Sequence, residues 1–130
     1  MSVRLILDTS ALLGYLAADT RAVEVSELMA TVEDNGDTCG VPALCVIAAY
    51  QQASDQQRRM LMELTGSDDG PTVILPVLAT DVGHLADLVA ELPYDLAQAV
   101  NAAAKHDALL GTYRRNAYRD TLDPEEILDL

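Results

Sequence analysis

A carboxylate and two hydroxyls follow the first apolar run of the chain. VRLIL at 3–7 gives way to Asp8, Thr9 and Ser10 before apolar residues resume. A short side-chain oxygen at such a point can cap a helix by accepting an N–H of its first turn. At the end of a buried strand, the same groups can instead hold a ligand. The residues around Asp8 therefore allow a structural or a chemical role.

Two later segments place polar groups at comparable positions. ALLGT at 108–112 predicts a strand that ends at Thr112, and Asp95 begins a predicted helix after Pro93. Ligands of open α/β sheets bind beyond the carboxyl ends of the strands, where Asp8 and Thr112 are predicted to lie. Asp95 also suits a helix N-terminus, because the helix dipole stabilises its charge. Both interpretations of Asp95 stay open.

The elements that must position these groups alternate along the chain. Apolar runs predict strands, and apolar residues at helical spacing predict helices, the second of them ending before Gly36. Strands alternating with helices favour parallel pairing in a three-layer α/β/α domain with a mostly parallel central sheet. No linker or repeat is evident, so residues 1–130 are predicted to form one domain. The predicted strands are 3–7, 38–41, 73–77, 108–112 and 127–130, and the predicted helices are 9–16, 21–35, 42–54, 55–64, 81–92 and 95–106.

Composition limits the kind of core and of partner. Half of the residues are hydrophobic but only 4% are aromatic, which predicts an aliphatic core in a sheet covered on both faces. The strand at 73–77 and the helix after Pro42, as far as Tyr50, are predicted to be buried. With a net charge of −13 and one lysine, Lys105, the chain cannot coat nucleic acid broadly. A basic peptide fits this charge better.

Location and cysteine chemistry follow from simple counts. No apolar run reaches the ~18 residues of a membrane span, and no basic leader precedes the first strand, so a cytoplasmic protein without membrane contact is predicted. Cys39 and Cys45 lie in apolar surroundings and are interpreted as reduced core residues. His84 and His106 stand on separate predicted helices without an acid or cysteine at ligand spacing, which favours surface or packing roles.

Four segments together resemble the PIN-domain family, most closely its small toxin-type (VapC-like) members, the ribonucleases of toxin–antitoxin pairs. The segments are LILDTSALLGYL, VPALCVIAAY, YDLAQAVNAAAKH and ALLGTYRRNAYR, and they span nearly the whole chain in order. The resemblance implies metal-dependent RNA cleavage, in which three or four carboxylates bind Mg²⁺ or Mn²⁺ at the carboxyl edge of the sheet.

The acidic site implied by this resemblance is incomplete. Its first and third acids match Asp8 and Asp95, and its supporting hydroxyls match Ser10 and Thr112. The second acid, a glutamate of the family, falls on Ala48, and the fourth falls on Arg114. Two of four metal-binding acids are therefore replaced.

Neighbouring acids offer little compensation. Asp55 lies seven residues beyond Ala48, about 10 Å further along a helix at ~1.5 Å per residue. Asp107 precedes its strand, at the opposite edge from the site, and only Asp120 stays open as a substitute ligand.

Arg114 itself suggests a hypothesis. A guanidinium in the metal pocket would pair with Asp8 and Asp95 and would oppose a divalent cation.

The resulting functional prediction is a non-catalytic binding or regulatory module, for which no cofactor is expected. The alternative is a weak Mg²⁺- or Mn²⁺-dependent endoribonuclease that binds its metal through Asp8 and Asp95, so the enzymatic status is open. An antitoxin-like or other protein partner and a homodimer are expected from the resemblance. RNA is a secondary candidate, through the basic-aromatic cluster of Arg114, Arg115 and Arg119 with Tyr113 and Tyr118.

Two other α/β enzyme classes fit poorly. A haloacid-dehalogenase-type phosphotransferase requires D-x-D after the first strand, where this chain has Ser10 at the second position. A response-regulator receiver requires an acid after its third strand and a late lysine, and Lys105 is in the wrong place.

Overall fold

Five parallel strands form the central sheet in the computed structural model, which describes residues 2–67 and 70–130. Their order across the sheet is β3-β2-β1-β4-β5, so that β1 lies in the centre. The predicted three-layer α/β/α fold is confirmed. The strands are β1 Val3–Leu7, β2 Thr38–Pro42, β3 Thr72–Leu75, β4 Leu109–Thr112 and β5 Ile127–Asp129.

Helices connect the strands and cover both faces of the sheet. Crossovers between parallel strands are right-handed in nearly all proteins, and with this strand order the rule puts the helices before β3 and those between β3 and β4 on opposite faces. α6 packs across β1, β2 and β4, while α3 contacts both α1 and α6. The helices are α1 Thr9–Leu16, α2 Thr20–Asp34, α3 Ala43–Gln52, α4 Asp55–Thr65, α5 Val82–Leu88 and α6 Tyr94–His106.

The strand order creates a crevice at one edge of the sheet. From β1 the chain proceeds outward to β2 and β3, then returns to form β4 on the other side of β1. The chain leaves β1 towards β2 on one side, and the chain that follows β4 leads to β5 on the other, so a crevice is expected at the carboxyl ends of β1 and β4. Asp8 follows β1 and Thr112 ends β4, which brings both to this switch point.

Aliphatic and small residues fill the core, as composition predicts. Leu5, Ile6 and Leu7 of β1 are almost completely buried. On α6, Ala99 and Ala103 are buried beneath the sheet, and their short side chains allow close approach of the helix backbone. Gly36 follows α2 with a φ of 79°, the left-handed conformation that the C-terminal glycine predicts.

Three predictions about burial and length are wrong. β3 ends at Leu75 and is not buried, because it is an edge strand paired only with β2; Val73 and Ile74 remain 41% and 39% exposed. α3 is not buried throughout, since Ile47 is 54% exposed. The helix predicted over 81–92 is the shorter α5, and Val82 is 57% exposed.

One buried amide replaces a missing helix cap. Pro42 precedes α3 and provides no side-chain acceptor for the first N–H groups of that helix. The Gln98 side chain accepts from Leu44 N at 2.7 Å and donates to Leu75 O at 2.9 Å. This single α6 residue therefore fastens α3 and the end of β3 to the opposite layer.

Two further predictions concern thiols and loops. Cys39 and Cys45 are free and buried, as predicted. No helix in the described ranges is long and apolar enough to cross a membrane. The loop predicted at 67–71 includes Asp68 and Asp69, which lie outside the described residues.

Candidate functional site

Asp8 is the centre of the candidate site and has no exposed surface. It is the N-cap of α1, and its Oδ1 accepts from Ala11 N at 3.0 Å and from Ser10 Oγ at 2.7 Å. Its Oδ2 accepts from two more hydroxyls, Thr112 Oγ1 and Tyr118 Oη, each at 2.7 Å. The carboxylate therefore accepts four hydrogen bonds from its own chain.

These contacts fix the direction of each hydroxyl proton. Ser10 Oγ and Thr112 Oγ1 lie 3.1 Å apart, but each hydroxyl has one proton and each has Asp8 as a nearer acceptor. The two oxygens instead accept backbone N–H groups, Ser10 from Tyr113 at 2.9 Å and Thr112 from Arg114 at 2.9 Å. The network thus joins the first turn of α1 to the chain that leaves β4.

Burial of the Asp8 charge would be unfavourable without these donors. An unpaired ionised carboxylate in a protein interior costs several kcal/mol. Three hydroxyls and one backbone N–H surround it, and the positive end of the α1 dipole adds a favourable field. Asp8 is accordingly both a helix cap and a buried polar hub.

Asp95 lies beside this hub and is connected to it through Thr9. Its Oδ2 accepts from Thr9 Oγ1 at 2.6 Å, and Thr9 directly follows Asp8 in the chain. The Cys45 thiol of α3 donates to the backbone oxygen of Asp95 at 3.2 Å. Asp95 is only half-buried, in contrast to Asp8. The structure therefore brings Asp8 and Asp95 into one neighbourhood.

The electrostatics of this neighbourhood keep the Tyr118 hydroxyl and the Cys45 thiol protonated. Burial, and then the charge of Asp8 and its hydrogen bond, raise the pKa of the Tyr118 hydroxyl far above its usual range. Burial also raises the pKa of the Cys45 thiol, with smaller contributions from the charges of Asp8 and Asp95. Both groups act here as proton donors and not as anionic ligands.

The structure contradicts the hypothesis that the Arg114 guanidinium fills the site. Arg114 is exposed, and among the described residues its side chain forms no ion pair with Asp8 or Asp95. Only its backbone N–H takes part, as a donor to Thr112. The physical reason is that the Tyr118 hydroxyl already donates a hydrogen bond to Asp8. This neutral donor satisfies the carboxylate without burial of a second charge.

Other sequence positions fall near the site or away from it. Ala48 lies on α3 one turn beyond Cys45, so it faces the same region. Asp55 is 94% exposed and points to Arg58 at 4.0 Å, while Asp107 ends α6 before β4. Asp120 is exposed and has no hydrogen bond to the network in the described part of the chain. None of these three acids joins Asp8.

The residues present do not fit a divalent metal ion. A carboxylate offers about four lone-pair positions, and four donors already use those of Asp8. Within residues 2–67 and 70–130, no three His, Cys, Asp or Glu side chains are grouped so that they could hold a metal ion. A hard cation such as Mg²⁺ requires free oxygen ligands.

Sequence reasoning misses Tyr118 as a member of this network. The sequence places Tyr118 in a basic-aromatic cluster with three arginines, but its side chain is completely buried. It lies in the turn Arg115–Tyr118, 110 residues from Asp8, so no local periodicity connects the two. The one available signal was that a tyrosine among arginines is a candidate partner for a buried acid.

Neither a scan against protein-family models nor a search of curated proteins finds a match.

Proposed function

We propose that this chain is a non-catalytic PIN-like domain that acts as a protein-binding module. The observation that carries this proposal is the closed state of Asp8, which is fully buried and accepts four hydrogen bonds from the chain itself. Cleavage of the kind that the resemblance implies needs a carboxylate with a free oxygen for the metal. Ala48 and Arg114 stand in place of the two further acids that the resemblance implies.

A direct test measures Mn²⁺ and Mg²⁺ binding by calorimetry and cleavage of a fluorescent RNA by the natural chain. We expect neither binding nor cleavage. Asp8→Asn is the matched control, because a contaminating ribonuclease would act equally in both preparations. Metal-dependent cleavage by the natural chain that Asp8→Asn abolishes would overturn the proposal and favour the endoribonuclease alternative.

The surface that favours a protein partner is an apolar groove beside α2. The groove has a volume of about 440 Å³ and lies between α1, α2 and α4. Ala22, Ser26 and Ala30 line it at helical spacing along α2, together with Tyr15 of α1 and Met60 of α4. Small residues along one helix leave room for the side chains of an incoming segment.

Charge selects the occupant of this groove. The exposed surface of α2 bears Glu24, Glu27, Glu33 and Asp34, and its one basic residue, Arg21, already pairs with Asp19 at 2.8 Å. A segment with apolar side chains and a basic face matches this combination. We therefore propose a basic amphipathic segment of a partner protein as the occupant, in preference to RNA, which the same acids repel.

Matched charge reversals test this surface. The probe is a fluorescein-labelled amphipathic Lys/Leu peptide, and its binding is followed by fluorescence anisotropy. Glu27→Lys, in the groove, should weaken binding about tenfold, since it replaces an attraction with a repulsion. Glu125→Lys changes the net charge equally, far along the chain at an exposed turn, and should have little effect. Equal losses in both variants would show nonspecific attraction to an acidic protein and would overturn the groove as the site.

A further inference from the structure

Tyr118 differs in origin from the other donors around Asp8. Ser10 and Ala11 belong to the first turn of α1, and Thr112 is the last residue of β4. These three donors are fixed by the same backbone that positions Asp8 itself. Tyr118 instead comes from the short turn Arg115–Tyr118, outside the sheet and the main helices. It is therefore the one of the four Asp8 donors that lies on a separate short turn.

The Tyr118 side chain also closes Asp8 sterically. Its ring has no exposed surface, and its hydroxyl reaches Asp8 Oδ2 at 2.7 Å. A metal ion at this oxygen would have to displace the Tyr118 hydroxyl from it.

We propose that Tyr118, and not Arg114, is the residue that excludes divalent cations from the remnant acids Asp8 and Asp95. This inference rests on the proposed non-catalytic function and identifies the structural element responsible for it. Restoring the two replaced acids is consequently insufficient, since Asp8 remains closed while Tyr118 is present. Opening the position of Tyr118 is the necessary step.

Manganese alone is the probe, and its binding is measured by calorimetry and by the electron paramagnetic resonance signal of free Mn²⁺. Four proteins are compared, all full-length: the natural chain, Ala48→Glu, Ala48→Glu with Arg114→Asp, and Ala48→Glu with Tyr118→Ser. Ala48→Glu supplies a third carboxylate beside Asp8 and Asp95, one turn from Cys45. Tyr118→Ser removes the ring and leaves space for water.

The variant with Tyr118→Ser should bind Mn²⁺ at least about tenfold more tightly than Ala48→Glu alone, the size of effect that residues around metal ligands commonly have. The variant with Arg114→Asp should stay within about twofold of Ala48→Glu, because the exposed Arg114 side chain does not contact Asp8. Equal gains from Arg114→Asp and Tyr118→Ser, or no gain from a folded Tyr118→Ser variant, would overturn the inference.

Loss of folding is checked by circular dichroism, since Tyr118 is buried. If Tyr118→Ser unfolds the chain, the variant Ala48→Glu with Tyr118→Phe is measured instead. Its control is Ala48→Glu with Tyr113→Phe, which makes the same change at a half-buried tyrosine. The Tyr118→Phe variant frees one lone pair of Asp8, so a gain of about threefold over the control is expected; no gain overturns the inference. Tight Mn²⁺ binding by the natural chain would instead overturn the proposed function itself, so the two failures are distinguishable.

Discussion

The carboxyl edge of β1 and the region of β3 and α5 distribute polarity in opposite ways. At the first, Asp8 is a charged group with no exposed surface, and each of its oxygens has two donors. At the second, apolar side chains face solvent, with Ile74 of β3 39% and Val82 of α5 57% exposed. α5 contains no fully buried residue at all in the described structure.

The contrast separates a part of the molecule in which the polar groups are paired from a part in which apolar surface is exposed. The site around Asp8 already contains every partner that its polar groups require, and this is typical of a structural network. The β3 and α5 region leaves apolar surface without a cover, which is typical of surfaces that contact other proteins. Function is therefore expected at surfaces of this chain and not in its polar interior.

The largest effect on the free energy of unfolding is expected from the replacement of Asp8. Asp8→Ala leaves three hydroxyls and the Ala11 N–H without their acceptor and deletes the cap of α1, so the free energy of unfolding should fall by about 3–5 kcal/mol. Asp95→Ala removes one hydrogen-bond acceptor at a half-buried position and should cost less than about 1 kcal/mol. Urea denaturation of both variants makes the comparison. Equal losses would contradict the view that only Asp8 is a structural hub.

The stability of the protein at alkaline pH tests the burial of the Cys39 thiol. Burial, followed by the charge of Glu33, raises the pKa of this thiol to about 11 from a usual value of 9.0. The unfolded chain therefore loses the thiol proton first, and stability that is fully present below pH 9 is lost as pH rises towards 11, by about 2–3 kcal/mol at most.

Cys39→Ala isolates this contribution. The pKa values of Cys45 and Tyr118 are also raised, so the variant should still lose stability at high pH, but less than the natural chain. Urea midpoints at pH 8 and pH 10.5 provide the measurement. An identical pH dependence in both proteins would show that Cys39 does not contribute.

The smallest effect on the free energy of unfolding is expected in the β3 and α5 region. Val82→Ser changes an exposed side chain of α5, and the free energy of unfolding should change by less than about 0.5 kcal/mol. Sedimentation equilibrium on the same samples tests the homodimer expected from the sequence. If α5 forms the pairing surface, the natural chain sediments as a dimer and Val82→Ser weakens it. A loss of stability comparable to that of Asp8→Ala would remove the contrast between the two regions.

Much of the fold was predictable because it depends on local pattern. The apolar run before Asp8, the α2 stripe of Val25 and Met29, and Gly36 after that helix each report their structure within a few residues. Periodicity and turn chemistry are properties of neighbouring residues, so the elements and the parallel sheet follow from them. The ends of α5 and β3 were less predictable, since apolar residues that continue past the end of an element look the same as those within it.

The sequence by itself determined that Asp8 follows a buried strand and that Ala48 and Arg114 stand where the resemblance to the PIN-domain family implies acids. Only the tertiary structure decided that β3 lies at an edge, which leaves Val73 and Ile74 exposed, and that Tyr118 rather than Arg114 reaches Asp8. The physical reason is that strand order and contacts between residues 110 apart depend on how whole layers pack, and a buried carboxylate takes whichever donor that packing brings within hydrogen-bonding distance.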